Sequence, residues 1–346
     1  MSLSDLKSRS QKILEAIILA YADSAVPIGS EFLQTRHDFG VSPATIRNVM
    51  AELEIQGLIT HPHTSAGRVP TDLGYRYYVD ILMEPKRLSV EEEKQLERLA
   101  ELKIEEPLEL LDKAAHLLAE MTQEAGVVLV PQLAQGSFRQ FKLIPVGDQE
   151  LLGVLIASEG MVKHAMLELE ETVGEDLLGQ VERFLNQELV GMPLDKVSSY
   201  LEQILQDAHD DVSQFYRQAM QMLQSSSFFE EDPSVILDGT SRMFEAPEFQ
   251  DMERTRRLMQ GLENKEELVD ILRRDVAADE VKLHIGLENR GTHLTDCTIA
   301  AASYRLRGGV TGALGVIGPT RMNYPRITTL VKRMAELVSR SYQERD

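Results

Sequence analysis

The stretch from Ser42 to Glu54 constrains the fold of this chain more than any other part of the sequence. Ser42 is a favourable helix cap, and Pro43 suits the first helical position because that position needs no N–H donor. Apolar residues then follow at the spacing of one buried helical face, namely Ile46, Val49, Met50 and Leu53. Gly57 ends the predicted helix. The pattern predicts an amphipathic helix that must pack against neighbouring elements.

The elements around this helix follow a recognisable order. We expect helices at about 13–21, 31–36, 43–56 and 72–82, and short strands at 58–60 and 69–70. Ser30 is the expected cap of the second helix, and Thr71 or Asp72 that of the last. Helix, helix, helix, hairpin and helix is the order of a winged helix-turn-helix, whose wing would be residues 61–68.

Three polar residues near the start of the third helix lie off its apolar face: Thr45, Arg47 and Asn48. A recognition helix reads base edges with polar side chains in its first turns. Arg can pair with guanine and Asn with adenine, each through two hydrogen bonds. We therefore predict that these three residues read DNA bases.

A second set of residues is expected to hold the DNA backbone or the edge of the minor groove: Ser42, Thr64, Ser65 and Arg68. The alternative is a protein-binding module, since exposed Arg and Asn side chains are usually just solvated. The agreement between helix order and wing favours DNA. His61 and His63 lack a Cys or carboxylate at ligand spacing, so the wing explains them better than a metal site does.

Net charge seems at first to oppose binding of nucleic acid. The 346 residues carry a formal charge of −20, and a phosphate backbone repels an acidic protein. The charge is uneven, however. Residues 1–87 hold 9 Lys+Arg and 10 Asp+Glu, whereas residues 88–346 hold 27 and 46. The N-terminal part is thus nearly neutral, and a local basic face is possible there.

Composition places the chain among globular proteins of the cell interior. Hydrophobic residues make up 43% and charged residues 27% of the sequence. The single cysteine excludes a disulfide framework and a Cys-rich zinc site. We find no membrane span and no secretory signal, so a cytoplasmic protein is expected.

The remainder of the chain reads as an α+β domain with an insertion. Strands are predicted at 127–131, 138–146, 150–158, 161–169, 281–287, 297–306 and 311–317, and helices at 108–121, 173–228, 252–274 and 327–342. Residues 225–249 look irregular. Because strands precede and follow a helical stretch, one sheet domain interrupted by an insertion is the simplest arrangement.

Other candidate sites are weak. Asp207, His209, Asp210 and Asp211 fit a solvated helix face better than a metal site. Glycines recur every third residue from Gly309 to Gly318, which indicates a closely packed strand rather than a phosphate loop. Cys297 lies in an apolar strand pattern and is expected in the core. We see no set of nucleophile, base and oxyanion donors, so we predict neither an enzyme nor a bound metal or cofactor.

Several long segments resemble one known family. The segments 41–54, 61–71 and 74–80 are similar to the third helix, wing and following helix of the HrcA family, and 315–324 is similar to its C-terminal signature. The resemblance implies a winged helix-turn-helix at 1–83, a linker helix at 84–106, a GAF-like domain at 107–161 and 279–346, and an inserted, mainly helical dimerisation domain at 162–278.

The resemblance also implies a function. HrcA proteins are heat-inducible transcription repressors that bind, as homodimers, an inverted-repeat operator called CIRCE. These operators precede the chaperone operons groE and often dnaK, and the GroE chaperonin (GroEL) keeps the repressor active. Two-fold operators require two-fold proteins, which gives the dimer a physical reason. The alternative is a GAF-type transcription regulator that senses a small molecule, which would need an apolar pocket with a few polar groups.

Overall fold

The computed structural model describes residues 6–62, 67–102, 107–131, 136–147, 149–158, 161–168, 174–207, 234–275, 280–306 and 310–343. The chain divides into two compact units. The first unit comprises Met1–Val128, Val235–Ser303 and Ala313–Val338, and the second comprises Leu129–Ser234, Tyr304–Gly312 and Ser339–Asp346. Within the described parts of the chain, every helix is too short or too polar to cross a bilayer.

The elements alternate between helices and strands along much of the chain. The α-helices of six or more residues are α1 Ser8–Ser24, α2 Ser30–Arg36, α3 Pro43–Ile55, α4 Asp72–Tyr77, α5 Val90–Glu101, α6 Pro107–Thr122, α7 Glu175–Glu188, α8 Leu194–Asp207, α9 Met252–Glu263, α10 Lys265–Asp275 and α11 Tyr324–Gln343. The strands are β1 Ile59–Thr60, β2 Val69–Pro70, β3 Ala125–Leu129, β4 Phe138–Pro145, β5 Glu150–Ala157, β6 Val162–Glu168, β7 Val235–Asp238, β8 Lys282–Ile285, β9 Cys297–Arg305 and β10 Thr311–Pro319.

The N-terminal elements occur in the predicted order. β1 and β2 pair antiparallel, with Ile59 opposite Pro70, and α4 continues into a π-helical turn at Tyr78–Leu82. α1 and α3 bury the apolar faces that their sequences predict, including Ile13, Leu14, Ile17, Ile46, Met50 and Leu53. Complete burial of an Ile or Leu side chain contributes about 1.5–3 kcal/mol. These faces, rather than helix propensity, hold the N-terminal elements together.

Two of the three predicted helix caps are confirmed. The Ser42 hydroxyl accepts a hydrogen bond from the Thr45 N–H at 3.3 Å, and Pro43 opens α3 as expected. The hydroxyl of Thr71 accepts one from the Gly74 N–H at 3.1 Å. The prediction for Ser30 is wrong. Gly29 occupies the cap position of α2 without a side-chain bond, and Ser30 is the first helical residue and is buried.

Five strands of the chain form one sheet in the order β7-β3-β10-β9-β8. Glycines let its neighbours approach closely, because a Cβ added at Gly315 would lie 1.9 Å from the Ala300 carbonyl oxygen. The reading of Gly312 and Gly315 as packed strand positions is therefore confirmed, whereas Gly309 lies outside the described residues. Cys297 is 1% exposed, as predicted, and its burial raises the pKa of the thiol.

A three-stranded antiparallel sheet, β4-β5-β6, lies within the second unit. Its inner face shares a core with α7 and α8; this core includes Phe138, Phe141, Leu155, Leu185 and Leu201. We expected β4 and β5 in the GAF-like domain and the insertion at 162–278. Packing instead joins all three strands to the two helices, and the division into functional domains stays a proposal.

One sequence reading in the second half of the chain is wrong. We expected the segment 225–249 to be irregular, yet β7 at Val235–Asp238 pairs with β3 at the edge of the sheet. Its three apolar residues followed by Asp238 show no alternation that would mark a strand. The helical stretch expected at 252–274 is present, as two helices, because Asn264 ends α9 and accepts a hydrogen bond from the Glu267 N–H at 3.3 Å. Asn264 therefore separates α9 from α10.

Gly74 is the tightest backbone contact of the N-terminal elements. A Cβ at this position would lie 2.0 Å from the carbonyl oxygen of Leu58. We expect Gly74→Ala to lower the free energy of unfolding by about 1–3 kcal/mol or more, because neither backbone can withdraw easily. Urea unfolding followed by circular dichroism measures this. Gly29→Ala is the control, since nothing lies within 4 Å of its added Cβ, and an equal loss in both variants would contradict the steric explanation.

Candidate nucleic-acid interface

The first turns of α3 present polar side chains opposite its buried face. Arg47 and Asn48 are exposed. Neither side chain forms a hydrogen bond or ion pair with any other part of the chain that the structure describes. Buried Ile46 and Val49 on the other side of the helix fix the direction in which these two residues point. The structure thus leaves one planar cation and one amide available for an external partner.

Thr45 differs from its two neighbours. Its side chain is half-buried, and its hydroxyl lies 3.1 Å from the hydroxyl of Ser42. The same Ser42 hydroxyl accepts the capping bond from the Thr45 backbone. Both hydroxyls therefore take part in the start of α3. The base-reading role of Thr45 and the backbone-holding role of Ser42 stay predictions.

The hairpin residues are only partly described. Thr64 and Ser65, which we predicted at the tip of the wing, lie outside the described residues, as does His63. Arg68 is described, and its backbone pairs with Ile28 through two hydrogen bonds of 2.8 and 2.9 Å. The returning arm of the hairpin is thereby fixed to the segment between α1 and α2.

The side chain of Arg68 binds a carboxylate of α3. Its Nε and Nη2 donate to Oε2 of Glu54 at 3.0 and 2.8 Å. The second oxygen, Oε1, contacts Nδ1 of His61. The hydrogen bond with His61, followed by the charge and hydrogen bond of Arg68, lowers the pKa of Glu54 below its ordinary value. Glu54 therefore stays ionised and ties both arms of the hairpin to α3.

Sequence reasoning missed Glu54. It lies at the end of the predicted helix, 14 residues before Arg68, and no local pattern pairs two such residues. His61 was weighed as a metal ligand and assigned to the wing. In the structure it contacts Glu54, and among the described residues no three His, Cys, Asp or Glu side chains come together as a metal site would require. His209, Asp210 and Asp211 lie outside the described residues.

α4 joins the N-terminal elements to β8 and the turn after it. Arg76 donates from Nε to Glu288 at 2.8 Å and from Nη2 to the Leu283 carbonyl oxygen at 2.5 Å. Asp72, at the other end of the helix, accepts from the Leu287 N–H at 2.8 Å. Hydrogen bonds that involve a charged group contribute about 1.5–3 kcal/mol each when shielded from water. We call these contacts, together with those of Arg321 below, the α4 joint.

Arg321 makes the second half of the α4 joint. Its Nη1 donates to the carbonyl oxygen of Ala22 near the end of α1 at 2.8 Å, and its Nε donates to Glu248 at 2.6 Å. Nearby, the ring of Tyr75 lies 5.5 Å from that of Tyr324. Arg321 thus connects the end of α1 to the segment that follows β10.

Glu124 is a buried carboxyl close to this arginine. Burial raises its pKa to about 8, with a smaller raising contribution from Glu248 and an opposing one from Arg321. Because the pKa lies above the ordinary value, the folded chain holds Glu124 protonated at neutral pH. Its contribution to stability is present below the ordinary pKa and is lost as the pH rises through about 8.

Comparison with known proteins places this chain in a family. A family model described as the HrcA protein C terminal domain matches residues 108–328. A heat-inducible transcription repressor HrcA from Desulforamulus reducens is 33% identical, with 97% of each chain covered. One of the same name from Natranaerobius thermophilus is 36% identical, with 95% of each chain covered. A crystal structure of a protein described as hypothetical shares the fold, at TM-score 0.65 and 22% identity, over 98% of this chain and 99% of that one.

These relatives are named transcription repressors, and the match covers nearly their whole length. The chain is therefore a transcription regulator. It belongs to the HrcA family of heat-inducible transcription repressors.

Proposed function

We propose that the chain represses chaperone operons by binding an inverted-repeat operator as a homodimer, with α3 in the major groove and the hairpin 61–68 as a wing. The observation that carries this proposal is the pair Arg47 and Asn48, which are exposed and unpaired within the described residues, on the first turns of α3. Thr45 completes the predicted base-reading set, and Ser42, Thr64, Ser65 and Arg68 are the proposed backbone or wing contacts.

The operator and the chaperonin are proposed from family membership. The repressor relatives are named heat-inducible, and CIRCE, the groE and dnaK operons and modulation by GroEL are what the family resemblance adds. The sequence supports a recognition helix that depends on base contacts, because the N-terminal 87 residues are nearly neutral and the rest is strongly acidic. Phosphate attraction alone would be weak for such a chain.

The outer face of the sheet β4-β5-β6 supports the homodimer. Opposed residues of an antiparallel sheet lie on the same face, and Ile144, Leu152 and Met166 are opposite one another in the three strands. Ile156 and Val162 form another apolar pair of that face. Ile144, Val162 and Met166 are 46, 59 and 53% exposed. Exposed apolar sheet surface of this kind is typical of an interface, and we propose a second copy of this chain as its partner.

In the proposed mechanism, the α4 joint fixes the position of the DNA-binding elements. Arg76, Asp72 and Arg321 hold the N-terminal elements on the sheet of the first unit through charged hydrogen bonds. If two such heads are fixed within a dimer, their spacing must match two half-sites of the operator, about one DNA turn or a multiple of it apart. A change that moves the heads would then weaken repression without touching the DNA-binding residues.

We expect Arg47→Ala to weaken binding to the operator by about 1–3 kcal/mol and to reduce the preference for the operator over a scrambled duplex. The reason is the loss of a two-bond contact with guanine. Gel-shift titration of both duplexes at one salt concentration measures it. Arg87→Ala removes one exposed positive charge outside α3 and serves as the control. An equal loss on both duplexes would contradict base reading by Arg47.

We expect Met166→Glu to convert the dimer to a monomer, because a carboxylate on the apolar face would be desolvated between two copies. Size-exclusion chromatography with light scattering measures the mass. Met252→Glu is the matched control, since Met252 is 85% exposed at the start of α9. A dimer that persists in Met166→Glu, or that dissociates equally in both variants, would rule out this face as the interface.

A further inference from the structure

We propose that Glu54 weakens the attraction of the hairpin for DNA phosphate by competing with it for Arg68 and His61. This inference rests on the proposed function and adds a residue that the base-reading set does not include. In the free chain the carboxylate binds both Arg68 and His61 at the base of the hairpin. Any duplex that brings a phosphate to Arg68 must therefore displace Glu54 first.

The geometry permits such an exchange. The guanidinium of Arg68 and the carboxylate of Glu54 meet side by side, with Oε2 2.8 Å from Nη2 and 3.0 Å from Nε. A phosphate can accept from the same two donors of an arginine. The side chains of Arg68 and Glu54 are 25 and 24% exposed, and that of His61 is 42% exposed. All three side chains are thus partly open to solvent, and the pair is of the kind that water and salt already weaken.

The charges of Arg68 and Glu54 predict whether removal of the carboxylate strengthens or weakens binding to DNA. With Glu54 in place, the Arg68 pair carries no net charge, so the base of the hairpin neither attracts nor repels a phosphate strongly. Removing the carboxylate leaves one positive charge there, which should gain one phosphate contact on any DNA sequence. Each phosphate that a protein neutralises on a duplex releases counterions and steepens the dependence of log affinity on log salt by about 0.9.

The chain supplies a control on the same helix. Glu52 lies two residues before Glu54 and is exposed. Its side chain forms no hydrogen bond or ion pair with any other described residue. Glu52→Gln therefore changes the net charge of α3 by the same amount as Glu54→Gln, but leaves the pair with Arg68 intact. Gln at position 54 keeps the shape of the side chain and an oxygen that can accept from Arg68, so the hairpin should stay in place.

The test is titration of the full-length chain with a random-sequence duplex and with the operator at several salt concentrations. We expect Glu54→Gln to bind the random duplex about fivefold more tightly than the natural chain does, the effect of one unit charge at contact distance in water. Its salt slope should steepen by about one unit. Operator binding should gain at least as much, because Arg68 is a proposed phosphate contact there too. Glu52→Gln should change random binding much less, and Glu54→Gln should have no effect when combined with Arg68→Ala and His61→Ala.

Two results would overturn the inference while leaving the proposed function intact. Equal gains in Glu54→Gln and Glu52→Gln would show a bulk charge effect. Weaker binding to both duplexes, with a lower thermal midpoint, would show that Glu54 only braces the hairpin. A natural chain that fails to prefer the operator over random DNA would instead refute the proposed function, and the inference with it.

Discussion

The α4 joint is the interaction on which the rest of the first unit depends. α4 has only six residues, Asp72–Tyr77, yet it contacts both the N-terminal hairpin and the region of β8. Gly74 packs on the carbonyl of Leu58 and so closes the N-terminal elements. Arg76 binds the backbone of β8, and Asp72 binds that of the turn after it. The direction of α3, and with it that of Arg47 and Asn48, is therefore tied to the sheet.

The joint also lies where two of the segments that carry the family resemblance meet. Tyr75 and Arg76 belong to the segment after the hairpin, and Arg321 and Tyr324 belong to the C-terminal segment. In the structure the ring of Tyr75 contacts that of Tyr324, and the Arg321 guanidinium reaches the end of α1. The two segments, far apart in sequence, meet in one contact region. Their side chains are constrained by each other as well as by any DNA contact.

Sequence reasoning succeeded where the determining chemistry is local. The cap at Ser42, the proline at Pro43 and the apolar spacing of α3 lie within one helix, and all three are confirmed. It failed where the partner is distant. Arg76 and Glu288 are 212 residues apart, and no periodicity relates them. The pairing of Glu54 with Arg68 and the edge strand β7 were missed for the same reason, since each depends on tertiary neighbours.

Several features of the charge distribution act in the same direction. An acidic bulk, a nearly neutral N-terminal part and an ion-paired hairpin all reduce attraction to phosphate that ignores sequence. In the proposed dimer, binding would then come from base edges and from the correct placement of two heads. Such a repressor would be sensitive to the orientation of its heads, and we propose that the α4 joint sets this orientation.

The most direct test of that control is Arg76→Ala, measured on two duplexes: the complete operator and a duplex with a single half-site. Arg76 lies in the joint and not in the proposed DNA contacts. If the joint sets the orientation of the heads, Arg76→Ala should lose at least about tenfold in affinity for the complete operator, equivalent to about 1.4 kcal/mol, and should bind the half-site as the natural chain does. Unchanged binding to the complete operator, or the same loss on both duplexes, would contradict it.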